Sequence, residues 1–202
     1  MKIVYLNGSP KEKASMSANI LSAMERRLTG AESIRIDGSE ARIPFCDALV
    51  MAFPLYVDGI PSHLLRLLEA LEHASHRSVN QAARPAKLYF IINCGFMEPE
   101  NAEIAIDMIG LWRQKSGLSP GQAVVFGGGS MRPSLKIGLG PSRNYKRALD
   151  ALAENIKNRS AGAPILTSVN VSRFLYIKAA HRGFRAAAGK RGLKIDDLYG
   201  RL

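Results

Sequence analysis

The sequence predicts an α/β protein in three layers: a five-stranded parallel sheet in the order 2-1-3-4-5, helices on both faces, and a basic helical extension at the end. Three observations predict it. Four short runs are continuously apolar, as in strands covered on both sides. Helical periodicity alternates with those runs, which implies right-handed βαβ crossovers. One further run, Ser33-Ile-Arg-Ile-Asp37, alternates polar and apolar and suits the edge of the sheet.

The elements follow in order. Ile3-Val-Tyr-Leu6 is the first buried strand, and Asn7-Gly-Ser-Pro10 follows it at once. Ser17 to Leu28 carries Ile20, Leu21, Met24 and Leu28 at the spacing of one helical face, with Ser15 or Ser17 as N-cap. Ser33 to Asp37 is the edge strand, and Asp47 to Phe53 is the next buried one. Only about nine residues, Gly38 to Cys46, join them, where a parallel crossover normally takes a dozen or so. The helix expected there is therefore reduced to a turn. Pro61 opens a helix bearing Leu64, Leu65, Leu67, Leu68 and Leu71. Leu88 to Ile92 is a third buried strand. A helix from about Glu100 to Ser116 turns Ile104, Met108, Leu111 and Trp112 inward and stops at Gly117. Ala123 to Phe126 is the last strand, and Ser142 to about Arg159 is a helix with Tyr145, Leu149, Leu152 and Ile156 on one face.

Length and composition fit one folded domain, residues 1–159, with an appendage, residues 160–202. No opening stretch reads as a signal peptide, and no apolar run reaches the roughly 18 residues of a membrane span. Cys46 and Cys94 lack the spacing of a metal or redox motif. A soluble, cytoplasmic protein is the expectation. The net charge of +11 is unevenly placed. Residues 1–131 hold 13 basic and 13 acidic side chains, and residues 132–202 hold 15 and 4, so the whole excess lies in the second part.

In an open parallel sheet, ligands bind beyond the carboxyl ends of the strands. Four unusual segments lie there. Asn7 to Ser17 sets Gly8, three serines and two lysines between a strand and a helix N-terminus, where amides and hydroxyls can grip a phosphate. It lacks the glycine and lysine spacing of a Walker A loop and is not a GxGxxG turn. A plain loop with capping serines is the alternative. Pro54-Leu-Tyr-Val-Asp-Gly-Ile-Pro61 offers main chain and Tyr56 to a planar ring, or simply a turn that covers the sheet end. In Asn93-Cys-Gly-Phe96, Gly95 allows close approach, and Phe96 offers a face or fills the core. Gly127-Gly-Gly-Ser-Met131 marks a tight turn or a nearby ligand.

Asn7-Gly-Ser-Pro10, the Ser15 and Ser17 pair, Phe53-Pro-Leu-Tyr-Val-Asp-Gly-Ile-Pro-Ser62 and the Gly127–Met131 turn resemble the NAD(P)H-dependent FMN reductases of the flavodoxin-like superfamily, over about Met1 to Arg159. The resemblance implies a flavodoxin-like three-layer sandwich. It implies an FMN phosphate held by Ser9, Lys11, Ser15 and Ser17. It also implies a ring lying over Pro54, Leu55 and Tyr56, with Gly95 and Phe96 on another side. NAD(P)H would be the electron donor, and a quinone, flavin or similar small molecule the acceptor. Proteins of this kind are commonly dimers, so a homodimer or higher homo-oligomer is expected. The cofactor carries such chemistry, and no catalytic acid or base is assigned. The short link after the second strand and the segment after Arg159 depart from the pattern.

Two other classes compete with an enzyme. One is an electron carrier of the same fold without nicotinamide activity, although such carriers tend to be acidic. The other is a regulatory scaffold that lost the cofactor. His73 and His76 lie three apart with no further ligands nearby, so a metal site is not expected. Val169 to Arg185 reads as an amphipathic helix, with Phe174, Ile177 and Phe184 on one side and Lys178, Arg182 and Arg185 on another. Its readings are an oligomer interface, an anionic partner or membrane surface, and nucleic acid. No specific nucleic-acid module is present.

Overall fold

The computed structural model describes residues 1–11, 15–36, 42–77, 85–129, 140–194 and 197, with side chains for all of these except 75–77. The chain runs β1 (Lys2–Asn7), α1 (Met16–Glu25), β2 (Glu32–Ile36), β3 (Ala48–Pro54), α2 (Ser62–Arg77), β4 (Lys87–Asn93), α3 (Glu103–Lys115), β5 (Ser119–Gly127), α4 (Arg143–Lys157), β6 (Ile165–Ser168) and α5 (Arg173–Gly189). Short 3₁₀ turns, Pro99–Ala102 and Gly140–Ser142, lead into α3 and α4.

All pairings are parallel, and the strand order is β2-β1-β3-β4-β5-β6. The sheet thus has six strands where the sequence predicts five. The sixth, β6, falls within residues 160–202 and pairs Val124 to Ile165 through Gly127 to Ser168. It covers the flank of β5, whose second half is fully buried. The predicted order of the first five strands stands. Strand β2 lies at the edge with most of its side chains exposed, as its alternation requires. Of its link to β3, residues 42–47 form no helix, and residues 37–41 lie outside the described part.

Alternate residues of each strand supply two separate cores. Ile3, Tyr5, Val50, Tyr89, Ile91, Val124 and Phe126 pack against α1 and α4. Val4, Leu6, Leu49, Met51, Phe53, Phe90 and Ile92 pack against α2 and α3. The indole N–H of Trp112 donates to the Leu68 carbonyl at 2.7 Å and joins α3 to α2.

The predicted inward face of α3 is corrected. Ile104 and Leu111 are exposed and Met108 is half-buried, while Ala105, Ile109 and Trp112 form the buried stripe. On α2, Leu64, Leu67, Leu68 and Leu71 are buried as expected, but Leu65 is exposed. At the amino edge of the sheet, Asp47 accepts from the Lys2 amide at 2.8 Å and from Arg159 at 2.6 Å. Arg159, at φ +49°, thereby ties the end of α4 to the start of β3.

Candidate functional site

The chain leaves β1 toward β2 on one side and returns to β3 on the other. The sheet order therefore reverses between β1 and β3, the switch point beyond whose carboxyl ends sheets of this kind bind ligands. The Gly8 amide donates to the Ala52 carbonyl at 2.8 Å and holds the β1 loop against β3. A Cβ on Gly8 would lie 2.7 Å from Leu64 Cδ2 and 2.9 Å from Phe53 Cβ, so only glycine lets α2 approach this closely.

The loop is then shaped by its own side chains. Asn7 Oδ1 accepts from the Ser9 amide at 3.1 Å, and Ser9 Oγ accepts from the Lys11 amide at 3.4 Å. Ser15 caps α1, its Oγ accepting from the Ala18 amide at 3.0 Å. Ser9, Ser15 and Ser17 are buried, whereas Lys11 is exposed. The first turn of α1 has no acidic residue, which suits its positive dipole end to an anion. Residues 12–14 lie outside the described part. His63, which sequence reasoning passed over, puts its Nε2 3.1 Å from the Gly8 carbonyl oxygen, near the start of α2.

Beyond β3, Tyr56 and Gly59 exchange both backbone hydrogen bonds, at 3.1 and 3.0 Å. The two residues between them, Val57 and Asp58, sit at φ +51° and +56°, the pattern of a type I′ turn. A β-branched residue there stores local strain, of the kind found at binding sites. Val57 is 100% exposed and Tyr56 46%, while Leu55 is buried and Pro54 half-buried. The Leu55 amide donates to the Asn93 carbonyl at 3.1 Å and links this segment to the end of β4.

After β4, Phe96 is 58% exposed, so it does not fill the core. The triple glycine at the end of β5 packs against this loop. The Gly128 and Gly129 amides donate to the carbonyls of Phe96 and Cys94 at 2.5 and 2.8 Å. A Cβ on Gly127 would meet the Met97 carbonyl oxygen at 2.2 Å, and one on Gly129 would meet Asn93 Oδ1 at 2.2 Å. The close approach of two loops thus requires these glycines; Ser130 and Met131 lie outside the described part. Burial, then the carboxylates of Asp58 and Glu98, pushes the Cys94 thiol up against a lowering Phe96 amide. Cys94 therefore stays protonated and is no thiolate nucleophile. Among the described residues, Asn93 Oδ1 is a buried acceptor with no hydrogen-bond partner.

The predicted residues thus fall on three adjoining strand ends: Ser9, Lys11, Ser15 and Ser17 after β1, Pro54, Leu55 and Tyr56 after β3, and Gly95 and Phe96 after β4. Sequence reasoning missed Tyr176. Its hydroxyl, on α5, donates to the Gly95 carbonyl and reaches back to the site from the other end of the chain. Arg173 adds an ion pair to Glu98 at 3.4 Å. The available signal was Ser172, which caps α5 by accepting from the Leu175 amide and sets the helix to start at Arg173 rather than Val169.

No family model matches the sequence, and no curated protein matches it. Solved structures share its fold. A flavone reductase aligns with a TM-score of 0.53 at 14% identity, covering 81% of this chain and 66% of that one. An NADPH-quinone reductase from P. pentosaceus aligns at 0.51 and 11% identity, covering 85% of this chain and 100% of that one. A WrbA-like flavodoxin from Agrobacterium tumefaciens aligns at 0.51 and 11% identity, over 78% of this chain and 98% of that one. The alignment thus spans just under two thirds of the flavone reductase and nearly all of the other two. The fold is flavodoxin-like.

Proposed function

We propose that this protein is an FMN-dependent oxidoreductase that takes electrons from NAD(P)H and passes them to a quinone, flavin or similar small acceptor. What supports the reading is that a serine-rich loop, a helix start without acidic residues and two exposed aromatic side chains follow the carboxyl ends of three adjoining strands, β1, β3 and β4. Two of the fold neighbours are themselves named as reductases, one of a quinone and one of a flavone. That likeness supports the reading at the level of architecture.

The residues present fit the group. Ser9 spends an oxygen lone pair on the Lys11 amide, and its hydroxyl proton can donate to a phosphate. Lys11 and the α1 dipole favour a dianion there. Ser15 and Ser17 complete the cradle. Pro54, Leu55 and Tyr56 would support the ring on one side, with Gly95 and Phe96 on another. When bound, FMN supplies hydride acceptance and onward electron transfer. The protein's own work is to hold the phosphate, fix the ring plane and keep an open aromatic rim where nicotinamide and acceptor can stack in turn.

The test is a visible spectrum. Protein purified with FMN should show flavin absorption that bleaches on adding NADPH or NADH and returns on adding a quinone. Colourless protein that FMN cannot reconstitute would remove the proposal. Flavin that stays oxidised with both nicotinamides would reduce it to an electron carrier.

A further inference from the structure

Helix α5 is the least covered element of the fold. Tyr176 and Ala188 are its buried side chains. Phe174 and Phe184 are 71% and 68% exposed, and Ile177 between them is exposed as well. Successive helical residues turn by about 100°. Ile177, His181, Phe184 and Phe174 therefore fall along one side, and Arg185, Lys178 and Arg182 run along its border. From 173 to 194 the chain has seven basic residues and no acidic one. Glu98 pairs with Arg173, and among the described residues no acidic side chain pairs with Lys178, Arg182 or Arg185. No helix among the described residues is long and apolar enough to cross a membrane.

We propose that α5 is an in-plane anchor that seats this protein on an anionic membrane surface. Its phenylalanines would enter the headgroup boundary, and Lys178, Arg182 and Arg185 would meet lipid phosphates. A bilayer supplies both apolar depth and a continuous negative surface, which match the exposed phenylalanines and the basic border of this helix. A second copy supplies the first but adds another basic stripe of like charge. The Tyr176 hydroxyl on the Gly95 carbonyl fixes the start of α5 to the strand-end rim, so docking would bring that rim to the bilayer.

The test is co-sedimentation of the full-length protein with phosphatidylcholine vesicles and with vesicles carrying about one quarter phosphatidylglycerol. Binding should favour the anionic vesicles by at least tenfold and collapse near 0.5 M salt, where screening reaches within a few ångström. Each basic residue at such a surface is worth roughly fivefold, so Lys178→Glu, Arg182→Glu and Arg185→Glu together should lower binding by a hundredfold or more. Phe174→Ser with Phe184→Ser should weaken it by at least about tenfold, because exposed phenylalanines leave the fold intact on removal. Three results would overturn the proposal: absence of binding by the wild-type protein at low salt, equal binding to neutral vesicles, or tighter binding to duplex DNA than to anionic vesicles at the same salt. Self-association that the phenylalanine variant abolishes, with no vesicle binding, would assign the face to a second copy instead.

Discussion

Ser15 shows how one residue can serve the fold and the proposed site at once. Its side chain caps α1, and it borders the loop that would hold the phosphate. The two roles separate by substitution. Ser15→Ala should cost about 1 kcal/mol of stability, read from urea denaturation, because the cap is lost. Ser15→Asp keeps the cap and should stay within about 0.5 kcal/mol of wild type, yet set a carboxylate against the phosphate and weaken FMN binding at least tenfold. Full FMN affinity in Ser15→Asp would place the phosphate elsewhere. This cap was legible, since a serine ahead of an apolar helical stripe is a direct signal. Tyr176 was not: one tyrosine in an otherwise exposed helix looks like any other, and only the folded chain brings it to Gly95.

At the scale of elements, the tie between α5 and the β4 loop makes a prediction of its own. Tyr176→Phe removes the hydroxyl bond to the Gly95 carbonyl and should cost about 1 kcal/mol in urea denaturation. It should also speed amide exchange at Gly95 to Met97; unchanged exchange would mean that the loop is held by the glycine turn alone. Elements were the most legible level where periodicity was unambiguous, as in α4, whose predicted Tyr145, Leu149, Leu152 and Ile156 are all buried. Helix α3 misled because it carries two apolar stripes of equal spacing, Ile104-Met108-Leu111 and Ala105-Ile109-Trp112. Size favoured the first stripe, but packing chose the second, where Ala105 presents less bulk to the sheet. Strand β6 escaped because it is four residues long and incompletely buried, with no run to distinguish it from a loop.

For the whole molecule, the topology was legible because parallel, doubly covered strands must be apolar on both faces, and that marks the centre of the sheet. The same burial sets the response to alkali. Burial, then the Glu25 carboxylate, pushes the Tyr5 phenol from 10.0 up to about 12, against the Ser33 hydroxyl and Arg35. Burial and Asp47 push the Cys46 thiol from 9.0 up to about 11. Both groups are neutral when protonated, so the fold favours the protonated form. Unfolded chains lose these protons first as pH rises. Stability from these groups should be intact below about pH 9 and decline toward pH 12, by an order of 2 kcal/mol each. Thermal melts across that range should fall, and Tyr5→Phe should flatten the upper part of the decline. A level profile would contradict the buried sites.

The claim beneath the functional reading is that the loop from Asn7 to Ser17 binds a doubly charged phosphate. Titrating the protein with FMN and with riboflavin, which differ by that phosphate alone, tests it directly. The account predicts that FMN binds at least a hundredfold more tightly, as several charge-assisted hydrogen bonds imply. Equal affinity for the two flavins would contradict it.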